Sequence, residues 1–166
     1  MKTLYLTRHA KSSWDDGILS DHDRPLNGRG LRDAPLMARL FAERKEPLDL
    51  LISSTATRAW ATASFFAQAL SVPLDSVHTE RSAYHASAAA LLAIVNGLPD
   101  HADRVMLFGH NPGMSIFCSD LCENGPGELV TCHTVRIDLL VDHWSHVTMG
   151  SGVMRWNDHP KRHGGL

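Results

Sequence analysis

Lys2-Thr3-Leu4-Tyr5-Leu6-Thr7-Arg8-His9 opens the chain, and residues 2–9 decide how the rest is read. Lys2 to Thr7 has the length and composition of a short buried strand, and it runs straight into an arginine and a histidine. Two later segments repeat the plan. Asp49-Leu50-Leu51-Ile52-Ser53 predicts a second buried strand, and Arg104 to Phe108 a third that ends in Gly109-His110-Asn111-Pro112-Gly113. Between them lie helical patterns. Asn27 is placed to cap a helix through about Arg44, with Leu31, Met37, Leu40 and Phe41 apolar and Pro35 predicting a kink or a later start. Ser53, Ser54 or Thr55 is placed to cap a helix from Ala56 to about Leu70, and Ser87 one from Ala88 to Asn96. A fourth helix is predicted from about Met114 to Cys122. Thr134 to Val141 and His146 to Trp156 read as strands around a turn at 142–145.

Strand, helix and strand in alternation predict an α/β fold: a mostly parallel sheet flanked by helices, with room for an antiparallel C-terminal edge. No repeat, low-complexity tract or linker divides residues 1–166, so a single domain is expected. A formal charge of −2 gives no general pull toward nucleic acid or anionic lipid. No stretch approaches membrane-spanning length, and the apolar run before Arg8 is too short for an export signal. With Cys118, Cys122 and Cys132 making an odd set, reduced thiols and a cytoplasmic location are expected.

In open α/β sheets ligands bind beyond the carboxyl ends of the strands. Arg8 with His9, Arg58 in the first turn of its helix, and His110 all fall there, so residues over a hundred positions apart are expected to converge. Two guanidiniums and two imidazoles make an anion-selective pocket. A histidine in such a pocket points to phosphoryl transfer: a neutral imidazole attacks phosphorus in line, while Arg8, Arg58 and protonated His110 hold the equatorial oxygens without a metal. The attacking ring needs its other N–H held, with a backbone carbonyl the expected partner.

The stretches LTRHAKSSW at 6–14, DRPLNGRG at 23–30, ISSTATRAWATA at 52–63, FGHNPG at 108–113 and TCHTV at 131–135 together resemble the histidine phosphatase superfamily, most closely its SixA-type phosphohistidine phosphatases. The resemblance implies a three-layer α/β/α sandwich. It makes His9 the phosphorylated nucleophile and Arg8, Arg58 and His110 the phosphate-binding residues, with no cofactor. It implies a phosphorylated protein or small phosphorylated molecule as substrate. Thr55 stands where members of the family carry proline. Lys11 and Asp15 replace the residues of the mutase-like branch, and a carboxylate at 15 would repel a second phosphate. The short chain lacks insertions that would cover a substrate, which suits a side chain displayed on another protein. Glu80 lies where mutase-like relatives place their proton donor and is the candidate acid here, although a phosphohistidine leaving group would dispense with one.

Other readings remain beside this one. A small-molecule phosphomonoesterase acting on a sugar or nucleotide phosphate would use the same residues, as would a phosphate-binding module without turnover. Eleven histidines invite a metal, but Asp21-His22-Asp23, Asp100-His101 and Cys132-His133 lack zinc-type spacing, so no metal is expected. Arg24 with Asp21 suits either substrate orientation or a loop-pinning ion pair. Trp14 is expected to form a pocket wall, and Lys161-Arg162-His163 a solvated tail.

Overall fold

The computed structural model describes residues 1–164. Six strands form one sheet: β1 (Lys2–Arg8), β2 (Leu50–Ser54), β3 (His78–Glu80), β4 (Arg104–Gly109), β5 (Thr134–Leu139) and β6 (Gly152–Asp158), in the order β3-β2-β4-β1-β5-β6. The β1–β4, β4–β2 and β2–β3 pairings are parallel, whereas β5 and β6 add an antiparallel edge. The expected mostly parallel sheet with an antiparallel C-terminal edge is therefore what forms.

Alternation along β1 explains the layers. Successive strand side chains point to opposite faces. Leu4 and Leu6 join the core on one face with Phe117, Cys118 and Leu121, while Tyr5 joins the other with Met37, Phe41 and Phe66. Helices α1 (Gly28–Glu43) and α2 (Thr57–Ala69) cover the second face, and α3 (Ala88–Asn96) and α4 (Gly113–Leu121) the first. The result is a three-layer α/β/α sandwich. In α1 the buried positions Gly30, Asp33, Ala34, Met37, Ala38 and Phe41 follow helical spacing, and the Asn27 side chain accepts from the Gly30 N–H as cap.

The structure corrects several expectations. The helix α1 starts at Gly28 and continues past Pro35. The carbonyl that proline cannot serve, four residues back, belongs to Leu31, which lies on the exposed side of the helix. No serine or threonine caps α2: its N-cap is Ala56, because the Ser54 and Thr55 hydroxyls are engaged elsewhere. The last strand begins at Gly152 and not His146, since Trp144–His146 forms a 3₁₀ turn that buries Trp144 and sends its indole N–H to the Ala102 carbonyl. Residues 161–163 are exposed but not loose: Arg162 donates to the Asn157 carbonyl and His163 pairs with Asp158. The three-residue strand β3 carries no pattern long enough for sequence reasoning to find.

Candidate active site

The C-terminal ends of β1, β2 and β4 open onto one pocket of about 240 Å³. Arg8 and His9 leave β1 there, His110 follows β4, and Arg58 enters from the first turn of α2; all four line the cavity. His9 sits over the β4 end, its backbone N–H donating to the Gly109 carbonyl. Its ring centroid lies 5.1 Å from that of His110. Close packing holds the floor in place. A Cβ on Gly30 would stand 2.1 Å from the Lys11 carbonyl oxygen, and one on Gly113 1.9 Å from that of Ala86. The glycines of the Asn-Gly-Arg-Gly and Asn-Pro-Gly stretches thus let α1 and α4 press against the loops that shape the pocket.

The His9 Nδ1–H donates to the Ala10 carbonyl at 2.6 Å, which is the backbone partner the sequence called for. The Ala10 N–H in turn is held by the Thr62 hydroxyl, which itself donates to the Arg58 carbonyl, so α2 fixes the segment carrying the imidazole. Burial holds the His9 pKa down at about 3, against the pull of the Ala10 carbonyl and with help from the Arg58, Arg8 and Arg24 charges. The ring is therefore neutral, and its Nε2 lone pair is free.

His110 is buried as well. Burial, then the neighbouring His9, Arg58 and His85, lowers its pKa to about 2, so the ring by itself is neutral. Its Nε2 meets the Ser54 hydroxyl at 2.8 Å, and its Nδ1 has no protein partner. A bound dianion would reverse the local potential and draw a proton onto this ring.

The arginines are oriented by different means. Arg8 donates to the Leu129 carbonyl at 3.0 Å and keeps its buried Nε unpartnered. Arg58 donates to both the backbone carbonyl and the carboxylate of Asp21, at 2.6 and 3.0 Å, and its Nε is likewise free. Arg24, buried beneath Trp14 with 3.4 Å between guanidinium and ring centroid, also pairs with Asp21 and reaches Ser12 and the Ser13 carbonyl. It lines the pocket, so it is both loop pin and pocket wall, and Trp14 lines it as expected.

Asp21, paired with Arg24 as the sequence suggested, is a hub of wider reach than that pairing. Besides Arg58 and Arg24 it accepts from the Tyr84 hydroxyl at 2.6 Å and from His85 Nε2–H at 3.1 Å. The Tyr84 hydroxyl first, then Arg58 and Arg24, hold its carboxyl well below the usual carboxylate range. His85 stacks on Tyr84 with 4.0 Å between ring centroids and lines the pocket. Glu80, by contrast, is not among the described residues that line it. Its carboxylate accepts from the hydroxyl and backbone N–H of Ser82, which together lower its pKa and make it the cap of a 3₁₀ turn.

Residues 4–81 match the model of the histidine phosphatase superfamily, branch 1. An uncharacterized chloroplastic protein of Arabidopsis thaliana is 33% identical over 164 residues, covering 93% of this chain and 74% of its own length. The chain belongs to the histidine phosphatase superfamily. Its structure is similar to the chain assigned as the phosphohistidine phosphatase SixA of Agrobacterium tumefaciens, with a TM-score of 0.80, 26% identity, and coverage of 96% of this chain and 98% of that one. The fold also matches a protein histidine phosphatase SixA solved with tungstate, at a TM-score of 0.77 and 22% identity over 96% and 98% of the two chains. This histidine phosphatase thus sits in the SixA-type branch, and membership makes it a phosphatase acting on a phosphorylated substrate. Among the described residues no helix is long and apolar enough to cross a membrane.

Proposed function

We propose that this phosphatase works through a phosphoryl group carried on His9 and that its substrate is phosphohistidine displayed on a protein. The observation that carries the reading is the 2.6 Å bond from His9 Nδ1–H to the Ala10 carbonyl: it fixes the tautomer of a neutral, buried ring and leaves Nε2 to attack. Nε2 forms its bond to phosphorus as the P–N bond of the substrate breaks and the departing imidazole takes up a proton. Water then displaces His9 and releases phosphate. Arg8, Arg58 and His110 hold the transferring oxygens, their unpartnered Nε and Nδ1 atoms fitting the need for additional acceptors. The guanidiniums supply the charge that a divalent cation supplies elsewhere, so activity is expected to persist in EDTA.

A second reading, a small-molecule phosphomonoesterase, is favoured by one feature. An alkoxide needs a proton, and His85 lines the pocket with its Nε2–H committed to Asp21, which leaves the opposite ring nitrogen, Nδ1, to serve the leaving group. In this reading His85 takes the role that Glu80 held by resemblance, because Glu80 is turned to Ser82.

Incubation with a labelled phosphohistidine peptide, rapid quenching and mapping of acid-labile phosphate tests the nucleophile. Label is expected on His9, and His9→Ala is expected to lose about 10⁵-fold in turnover. Turnover surviving in that variant sinks the proposal. Rates on phosphohistidine peptide against sugar and nucleotide monophosphates separate the two substrate readings. Phosphate binding with no turnover of any of them would instead indicate a non-catalytic module.

A further inference from the structure

The cavity does not end at the phosphoryl site. Arg8, Lys11 and Thr131 line both it and a more open groove alongside, where Arg29, Glu128 and Lys161 join them. Four cations face one carboxylate there, on a chain whose formal charge is −2. They come from separate elements: Arg8 from β1, Lys11 from the loop after it, Arg29 from the first turn of α1, and Lys161 from the C-terminal 3₁₀ turn. The charge is assembled by the fold and is not a solvated run in the sequence.

Nothing in the protein uses this charge fully. Glu128 is exposed. Arg29 reaches the Thr131 hydroxyl at 3.4 Å, its Nε forms only a long ion pair with Asp33 at 3.5 Å, and Arg8 Nε makes no hydrogen bond. Like charges held together at a cleft repel one another and concentrate anions.

We propose that this groove binds a second anionic group of the substrate, carried beside the phosphoryl group that His9 attacks. The inference rests on the reading of His9 as nucleophile. Phosphate and carboxylate oxygens both accept from guanidinium and ammonium donors, so two sources share the chemistry: acidic side chains flanking a phosphohistidine, or the second phosphate of a small molecule. Arg8 and Thr131, common to both cavities, place the two anions next to each other. Asp15, expected from sequence to repel a second phosphate, is exposed in its loop and lines neither cavity.

Two matched substrate pairs test this. One is a phosphohistidine peptide with acidic or with alanine flanks; the other is a sugar bisphosphate and the corresponding monophosphate. The doubly anionic member of one pair is expected to have kcat/KM about tenfold higher, through KM, and the pair that responds identifies the source. Lys11→Gln/Lys161→Gln is expected to erase the preference, while Arg39→Gln, which removes an exposed cation paired with Glu43 on α1, leaves it intact. Absence of preference in both pairs, or its persistence in the double variant, overturns the proposal. Calorimetry with inorganic tripolyphosphate against orthophosphate reads the groove without turnover. The ratio of affinities falls in the double variant if the groove binds the extra charge and stays constant if it does not. Should no substrate be turned over, the nucleophile reading fails while this binding comparison still decides the groove.

Discussion

The floor and the rim of the pocket are built differently. On the floor, His9 is held by the Ala10 carbonyl, His110 by Ser54 at the end of β2, and Arg8 by the Leu129 carbonyl, all short bonds to buried or backbone groups. On the rim, Asp21, Tyr84 and His85 hold one another through side chains projecting from two irregular segments 63 and 64 residues apart. The floor is preorganised by sheet and helix packing, which in the proposed mechanism keeps the attacking atom and its charge clamps in place without reorganisation during reaction. The rim stands on loops, where stability is locally lowest and where substrates differ. The attack is expected to be invariant across substrates, and the fate of the leaving group to vary.

Arg58 joins the two regions and gives the largest expected effect. Arg58→Lys keeps a charge but loses the planar fork that serves Asp21 and, in the proposed mechanism, phosphate, and a drop of about 10³-fold in kcat on every substrate is expected. A loss confined to one leaving group would move Arg58 from floor to rim.

The rim itself is tested by leaving-group dependence. His85→Asn is expected to cost about 10²-fold in kcat for an alkyl phosphate and almost nothing for phosphohistidine, whose imidazole leaves readily. Glu80→Gln is expected to change neither beyond the effect of a lost turn cap. The opposite pattern would return the acid to Glu80. Asp21→Asn is smaller in reach: with its charge gone, Arg58, Arg24 and His85 lose a shared orienting partner, and a loss of about tenfold is expected. Because Asp21 serves floor and rim at once, that loss should appear with both leaving groups and be larger for the alkyl phosphate, where the orientation of His85 also counts.

What could be read in the sequence divides along the same line. That Arg8, His9, Arg58 and His110 converge was legible because each lies at or just beyond the end of an apolar strand, and strand ends converge by the rules of parallel sheets. The flanking helices were legible from spacing and caps. The Asp21–Arg24 pair was legible, but His85 and the reach of Asp21 to it and to Tyr84 were not, because nothing local marks a loop aspartate as the partner of a tyrosine and a histidine some sixty positions away. Ser54 was read as a helix cap when its hydroxyl serves His110, and the lowered pKa of that ring was not legible because burial, its main cause, is a property of the fold. The basic groove was invisible for the same reason, its cations being scattered from residue 8 to residue 161.

The smallest effect separates floor from rim by stability. His9 and His110 titrate at about 3 and 2 in the fold, below the ~6.5 of an unfolded imidazole. Between those limits the unfolded chain binds more protons than the folded one, so stability rises with pH and is lost as pH falls from about 6.5 toward 3. Urea unfolding at a series of pH values is expected to show this slope, and His9→Asn, which removes one buried titrating ring, is expected to flatten it. His85→Asn, altering a side chain 59% exposed on the rim, is the matching comparison there. Equal slopes in wild type and His9→Asn would mean that the His9 ring is hydrated and protonated in the fold. An imidazole in that state has no free Nε2 lone pair at mildly acidic pH, and the contrast between a dry, fixed floor and a wet, adaptable rim would fail with it.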